Sequence, residues 1–157
     1  MTKWSYFYQC NSVNDIFISI IARDWGKVLL YRLIYVSEAV GSTGVSTQSI
    51  AQILGIAERN NRRDRITSGV MFHDGWCLHA IEGARVDVDR LMGRLRADRS
   101  HRNIRVLVDK PIAVRRFCEP MGLCDDPLAI LKAIGSPDMG TITGYEAERI
   151  VDIKQAA

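Results

Sequence analysis

Between residues 65 and 83, polar and apolar positions fall into two β-prone runs, "RITSGVMFH" (65–73) and "WCLHAIEG" (76–83). In the second run Trp76, Leu78 and Ala80 share one face, and Cys77, His79 and Ile81 share the other. His73-Asp74-Gly75 between the runs is a hairpin signal. Upstream, "LLYRLIYVS" (29–37) is apolar and β-prone and predicts a buried strand. "GSTG" (41–44) predicts a loop. The period then changes: Ile50, Ile53, Leu54 and Ala57 recur at helical spacing within 46–61, with Ser46 or Thr47 as N-cap. A second helical stripe, Val88, Leu91, Met92 and Leu95, lies in 86–98, with Asp87 and Asp89 early and Arg94 and Arg96 late, as the helix dipole favours. "NIRVLVD" (103–109) predicts a strand and "IAVRRF" (112–117) another.

The order β-α-β-β-α-β-β predicts an α+β, ferredoxin-like fold, with two helices on one face of a mostly antiparallel sheet. Residues 28–122 form this domain. Residues 1–27 read as an N-terminal extension, dispensable for the fold, and 123–157 as a C-terminal helical tail. In the tail, 128–135 is a short helix ended by Gly135, and 144–155 is a second amphipathic piece.

Composition narrows the class. The chain has 157 residues, 47% hydrophobic and 25% charged, with net charge +3, which is ordinary for a globular domain and does not demand nucleic acid. The apolar part of "DIFISIIARDW" is too short to span a bilayer, so no membrane role is expected. Cysteines 10, 77, 118 and 124 form no C-x-x-C pair and read as reduced thiols in a cytoplasm.

Candidate chemistry is confined to a few polar residues in apolar settings. His79 sits mid-strand among apolar neighbours, as a structural histidine or as part of a site. The inward stripe of the first helix continues to Asn61, with Asn60 beside it. An inward amide either caps the helix or binds a planar heterocycle of reversed donor and acceptor pattern. Tyr35 is a phenol in a buried strand, and the fold order makes it a neighbour of His79 on the helix-facing side. Together these residues suit a ligand slot between the two helices.

Five segments resemble one family in the right order: "LYRLIY" (30–35), "RNN" followed by "RIT" (59–67), "LHAIEG" (78–83), "ADRSH" (97–101) and "PIAVRRF" (111–117). From about Leu30 to Phe117 the chain resembles the BLUF domain, a blue-light sensor using FAD. The resemblance implies FAD (or FMN) between the helices, Tyr35 as the photoactive tyrosine and Asn61, with Asn60 next to it, at the flavin's carbonyl region. It also implies Arg99 and His101 beside its outer edge, although both also fit a solvated helix end.

Several positions depart from the family pattern. His79 replaces the glutamine between tyrosine and flavin. "CEPMG" replaces the C-terminal W-x-M, with Pro120 where the Trp is usual. Ala57 stands where a helix serine is often found, and Ser68 replaces a glycine. The expected function is a flavin-binding sensory module that signals through a protein partner, is not itself an enzyme and forms a homo-oligomer. His79 is expected to face the flavin pocket and to abolish or alter the light-induced red shift. The alternative is a BLUF-fold interaction module without flavin. The run Arg59, Arg62, Arg63 and Arg65 would admit RNA, but the aromatic residues of single-strand readers are missing. Cys77 and His79 share a face without further metal ligands.

Overall fold

The computed structural model describes residues 28–41, 47–135 and 138–153. The expected extension 1–27 and the loop 42–46 with its expected cap lie outside these residues. Five strands, β1 (Leu30–Ala39), β2 (Thr67–His73), β3 (Trp76–Ala84), β4 (His101–Ile112) and β5 (Gly122–Leu123), form one sheet in the order β4-β1-β3-β2-β5. All neighbours are antiparallel except β2 and β5. This is the predicted ferredoxin-like α+β arrangement. The β2–β3 hairpin closes at Asp74 (φ 47°) and Gly75 (φ 75°), the left-handed pair that a two-residue hairpin turn requires.

Helices α1 (Thr47–Arg63) and α2 (Arg85–Ala97) stand over one face of the sheet. There α2 buries Val88, Leu91 and Met92 against Leu33, Tyr35, Ile66 and Ile81. Ile53, Leu54 and Ala57 of α1 are only half-buried, so this helix stands further off the strands. The opposite face is also covered. Helices α3 (Pro127–Ile134) and α4 (Gly144–Asp152), joined by a 3-10 turn at Met139–Thr141, pack on Ile34, Val36, Met71, Leu78 and Ala80. Both helices are well capped. Asp126 accepts from the Ala129 N–H with Pro127 in the first turn, Gly135 ends α3 at φ 76°, and Thr143 and Glu146 form a capping box. Among the described residues no helix is long and apolar enough to cross a membrane. Cys77 and Cys124 are free and buried, whereas Cys118 is disulfide-bonded, so the expectation of four reduced thiols does not hold.

The expected strand 112–117 does not form. Beyond Ile112 the chain becomes an irregular strap that rejoins the sheet only at β5. Side chains hold it instead of a ladder. The Arg116 and Phe117 N–H groups donate to Glu82 Oε2 at 2.7 and 3.2 Å. Arg115 donates to Thr67 Oγ1 and to the carbonyls of Glu82 and Arg65. Phe117 is buried in the second core, whereas the consecutive Ala113 and Val114 are both exposed, which is not strand alternation.

Candidate functional site

The strand pairing builds the floor. β1 and β3 place Tyr35 opposite His79, and Ser37 opposite Cys77. The Tyr35 hydroxyl lies 3.1 Å from His79 Nδ1, with the rings edge to face. Both residues are buried. Burial holds the Tyr35 phenol well above its ordinary range, with the negative potential of Cys77 and Asp98 adding to it. Burial also lowers His79 to about 3, with His101 pushing the same way, so the imidazole is neutral. A neutral imidazole has one N–H. With the phenol donating to Nδ1, the ring proton lies on Nε2. Nε2 is buried without a hydrogen-bond partner among the described residues. The floor continues through Ser37 Oγ, 3.0 Å from His101 Nδ1. The Cys77 thiol is pushed up to about 12 by burial, partly offset by a hydrogen bond with Ser37.

Above this floor, between α1 and α2, is a cavity of about 230 Å³. Ile53, Ala57, Asn60 and Asn61 line it from α1, and Leu91, Arg94, Leu95 and Asp98 from α2 and its end. The decisive side chain is Asn61, which is 1% exposed. Its Nδ2 donates to the Pro120 carbonyl at 2.8 Å and to Ser68 Oγ at 3.2 Å. A carbonyl can only accept, so the orientation of the amide is fixed. Asn61 Oδ1 is then left buried and unpartnered among the described residues. The site thus presents one spare donor, His79 Nε2–H, and one spare acceptor, Asn61 Oδ1. Uncompensated buried groups of this kind are costly unless a ligand meets them. An imide edge, with a carbonyl oxygen beside an N–H, offers the complementary pair, and the isoalloxazine ring of a flavin carries such an edge. The volume is below the roughly 300–1,000 Å³ of pockets that engulf a whole ligand, so it suits a flat ring inserted with its tail outside.

Of the six residues singled out from the sequence, Tyr35, His79, Asn60, Asn61 and His101 line this cavity. Asn61 does not cap α1; its amide reaches the strap. Arg99 is exposed and is not part of the lining. The reason is local: Asp98 Oδ1 takes the Ser100 N–H and hydroxyl, folding the turn so that Asp98 and His101 face inward and Arg99 does not. The cation in the wall is Arg94, bonded to Asp64 at 2.8 Å. Asp64 is lowered to about 2, first by its hydrogen bond with Arg63 and also by Arg94. Arg94 was findable, because Leu91, Arg94, Leu95 and Asp98 fall on one helical stripe. Ser68 and Met121 had no such signal. Met121 lines the cavity although its sequence spacing differs from the family's methionine.

The comparisons agree with this geometry. The family described as "Sensors of blue-light using FAD" matches residues 30–121. A curated relative, the photoactivated adenylate cyclase subunit beta-like protein 1224-5/9F of Euglena gracilis, is 29% identical over 86 residues, which are 55% of this chain and 10% of that protein. A bacterial light-regulated adenylyl cyclase superposes with a TM-score of 0.59 at 27% identity, covering 67% of this chain and 32% of its own. BlrB, a BLUF protein in its dark state, superposes with a TM-score of 0.66 at 26% identity, covering 78% of this chain and 95% of its own. This chain therefore spans a small part of each cyclase and nearly all of BlrB. It belongs to the BLUF family of blue-light sensors that use FAD.

Proposed function

We propose that this protein is a flavin-binding blue-light sensory module that passes its signal to a separate protein partner, with its light response altered by His79. Residues 28–122 are the sensory unit in this reading, and 123–157 the tail, whose helices α3 and α4 back the sheet. The single observation that carries the reading is the pair of buried, unpartnered atoms, Asn61 Oδ1 and His79 Nε2, on two residues that line a cavity between two helices. FAD or FMN held there supplies the absorption of blue light. Asn61 anchors the imide, Tyr35 and His79 form the polar floor, and Asn60 and His101 complete the wall. Arg94 is the cation in the wall. In this reading the flavin-binding module itself senses light and is not an enzyme. It works as a homo-oligomer in the cytoplasm.

His79 changes how the floor handles a proton. The ring is too buried to hold a charge, so a proton arriving at Nδ1 from Tyr35 must be matched by one leaving Nε2. Its two nitrogens point apart on a rigid ring. It cannot rotate to exchange donor and acceptor as a glutamine amide does in the family. The test is the absorption spectrum of FAD-loaded protein before and after blue light, in the parent and in His79→Gln. A red-shifted state should be absent in the parent and appear in His79→Gln. A stable red shift in the parent sinks the altered response, and protein that takes up no flavin favours the interaction module instead. Asn61→Ala should weaken flavin retention by about 1–3 kcal/mol.

A further inference from the structure

Ser68 and the strap it touches are not accounted for by the reading above. Ser68 is fully buried at the second position of β2, on the strand edge beside the strap. Its N–H donates to the Glu119 carbonyl at 3.1 Å. Its hydroxyl lies 2.8 Å from the Pro120 carbonyl and 3.1 Å from Met121 Sδ, and it receives Asn61 Nδ2 at 3.2 Å. The inventory of protons is tight. Asn61 brings two N–H donors and Ser68 brings one O–H. The acceptors are Ser68 Oγ, the Pro120 carbonyl and the Met121 thioether. One hydroxyl proton faces two acceptors, the carbonyl and the sulfur, so it can be redistributed without moving the backbone. A step further along, the Cys124 N–H donates to the Val70 carbonyl and β5 pairs with β2, which leads directly into α3. Asn61 therefore sits between the cavity and a strap that connects to the second core.

We propose that Ser68 is a positioning residue: with the Pro120 carbonyl it locks the Asn61 amide with its oxygen toward the cavity, and it couples cavity occupancy to the strap Cys118–Cys124. This rests on the reading of Asn61 as the flavin anchor, and it adds a route by which that anchor reaches the opposite face of the sheet. The coupling is one of hydrogen bonds alone. A ligand N–H on Asn61 Oδ1 polarises the amide and strengthens both Nδ2 bonds, which tightens the strap.

The experiment compares the parent with Ser68→Ala, a change that keeps the volume near that of serine and removes the hydroxyl. Two measurements are made with and without added riboflavin: amide hydrogen exchange across 118–124, and the side-chain NH2 signals of Asn61 by NMR. In the parent, riboflavin should slow exchange across the strap several-fold. In Ser68→Ala one Asn61 N–H signal should move toward its free position, riboflavin should bind roughly 3- to 10-fold more weakly, and the slowing across the strap should be lost. Unchanged Asn61 signals, with equal slowing in both proteins, would overturn the proposal. If the parent does not bind riboflavin, the flavin reading fails on its own. The Asn61 signals and strap exchange of the two ligand-free proteins then decide the role of Ser68: faster strap exchange with a shifted NH2 signal upholds it, and identical behaviour defeats it. Should Ser68→Ala not fold, Ser68→Cys keeps a weak donor and carries the same comparison, with smaller changes of the same sign expected.

Discussion

β1 and β3 carry two buried polar pairs a few residues apart, one on each face of the sheet, and they are built differently. On the face covered by α3 and α4, Arg32 stands opposite Glu82. Glu82 is fully buried, and its two oxygens are saturated: Oε1 takes Arg32 through Nε at 2.8 Å and a second nitrogen at 2.7 Å, and Oε2 takes the Arg116 and Phe117 N–H groups. On the face covered by α1 and α2, Tyr35 and His79 share one hydrogen bond, and His79 Nε2 is left over. The first pair closes a structure. Its charge is matched by four donors, and what it secures is the strap that could not pair as a strand. The second pair keeps a valence unspent beside a cavity. Buried polar groups alone do not mark a site; an unspent donor or acceptor among them does.

The largest expected effect comes from breaking the saturated pair. Glu82→Ala leaves Arg32 nearly buried without its partner and releases two strap N–H groups. Removing one member of a buried pair costs about 3–5 kcal/mol. Urea unfolding should show a loss of that size, and exchange should rise across 113–117. A loss below about 1 kcal/mol would mean that the pair is solvated and that the contrast between the two faces is smaller than the geometry says.

The two pairs also differ in how readable they are from the sequence. Tyr35 and His79 stand out because apolar residues surround them, and β-alternation with the fold order is enough to set them side by side. Arg32 and Glu82 do not stand out, since charges at alternate positions of a strand read as a wet face. The signal that this face is dry was in the same strands: Ile34, Val36, Leu78 and Ala80 make both faces of β1 and β3 apolar, as in a sheet covered twice. That pattern calls for a second layer, and the helices of the tail, α3 and α4, supply it. "IAVRRF" reads as a strand because local alternation carries no record of Glu82, which captures its N–H groups from 34 residues away. Arg99 and Arg94 are likewise separated only by the turn that Asp98 folds. Asn61 was legible as an inward amide. That one of its donors is taken by a strap nearly sixty residues later was not.

A smaller effect sharpens the comparison through pH. His79 lies at about 3 when folded, below the ordinary value near 6.5 that it regains on unfolding. As pH falls below about 6.5 the unfolded chain takes up a proton that the folded chain refuses, so stability is full above that pH and declines as pH falls toward 3. His101, also lowered by burial, adds in the same direction. The slope from His79 alone is at most about 1.4 kcal/mol per pH unit. Urea midpoints at pH 7.5 and 5 should differ less in His79→Gln than in the parent. An equal difference in the two proteins would show that His79 is not held neutral by burial.

The smallest effect tests the assignment on which the floor depends. In Tyr35→Phe the ring remains and only the hydroxyl goes, so packing against His79 and His101 is kept. One neutral hydrogen bond is lost and Nδ1 is left buried without a partner, a cost of about 1–3 kcal/mol, so the stability change should stay below that of Glu82→Ala. The informative readout is the ring itself. With the phenol donating to Nδ1, the parent should show one tautomer, protonated at Nε2, in its imidazole 15N shifts. Without the phenol, neither nitrogen has a fixed partner among the described residues, and the shifts should move toward a mixture of tautomers. A parent already protonated at Nδ1 would reverse the reading. The cavity would then present two acceptors, Nε2 and Asn61 Oδ1, and its ligand edge would have to offer two donors. A single fixed tautomer in both proteins would mean that something other than Tyr35 sets the ring. The contrast between a pair that is satisfied and a pair that waits would then have to be drawn without the phenol.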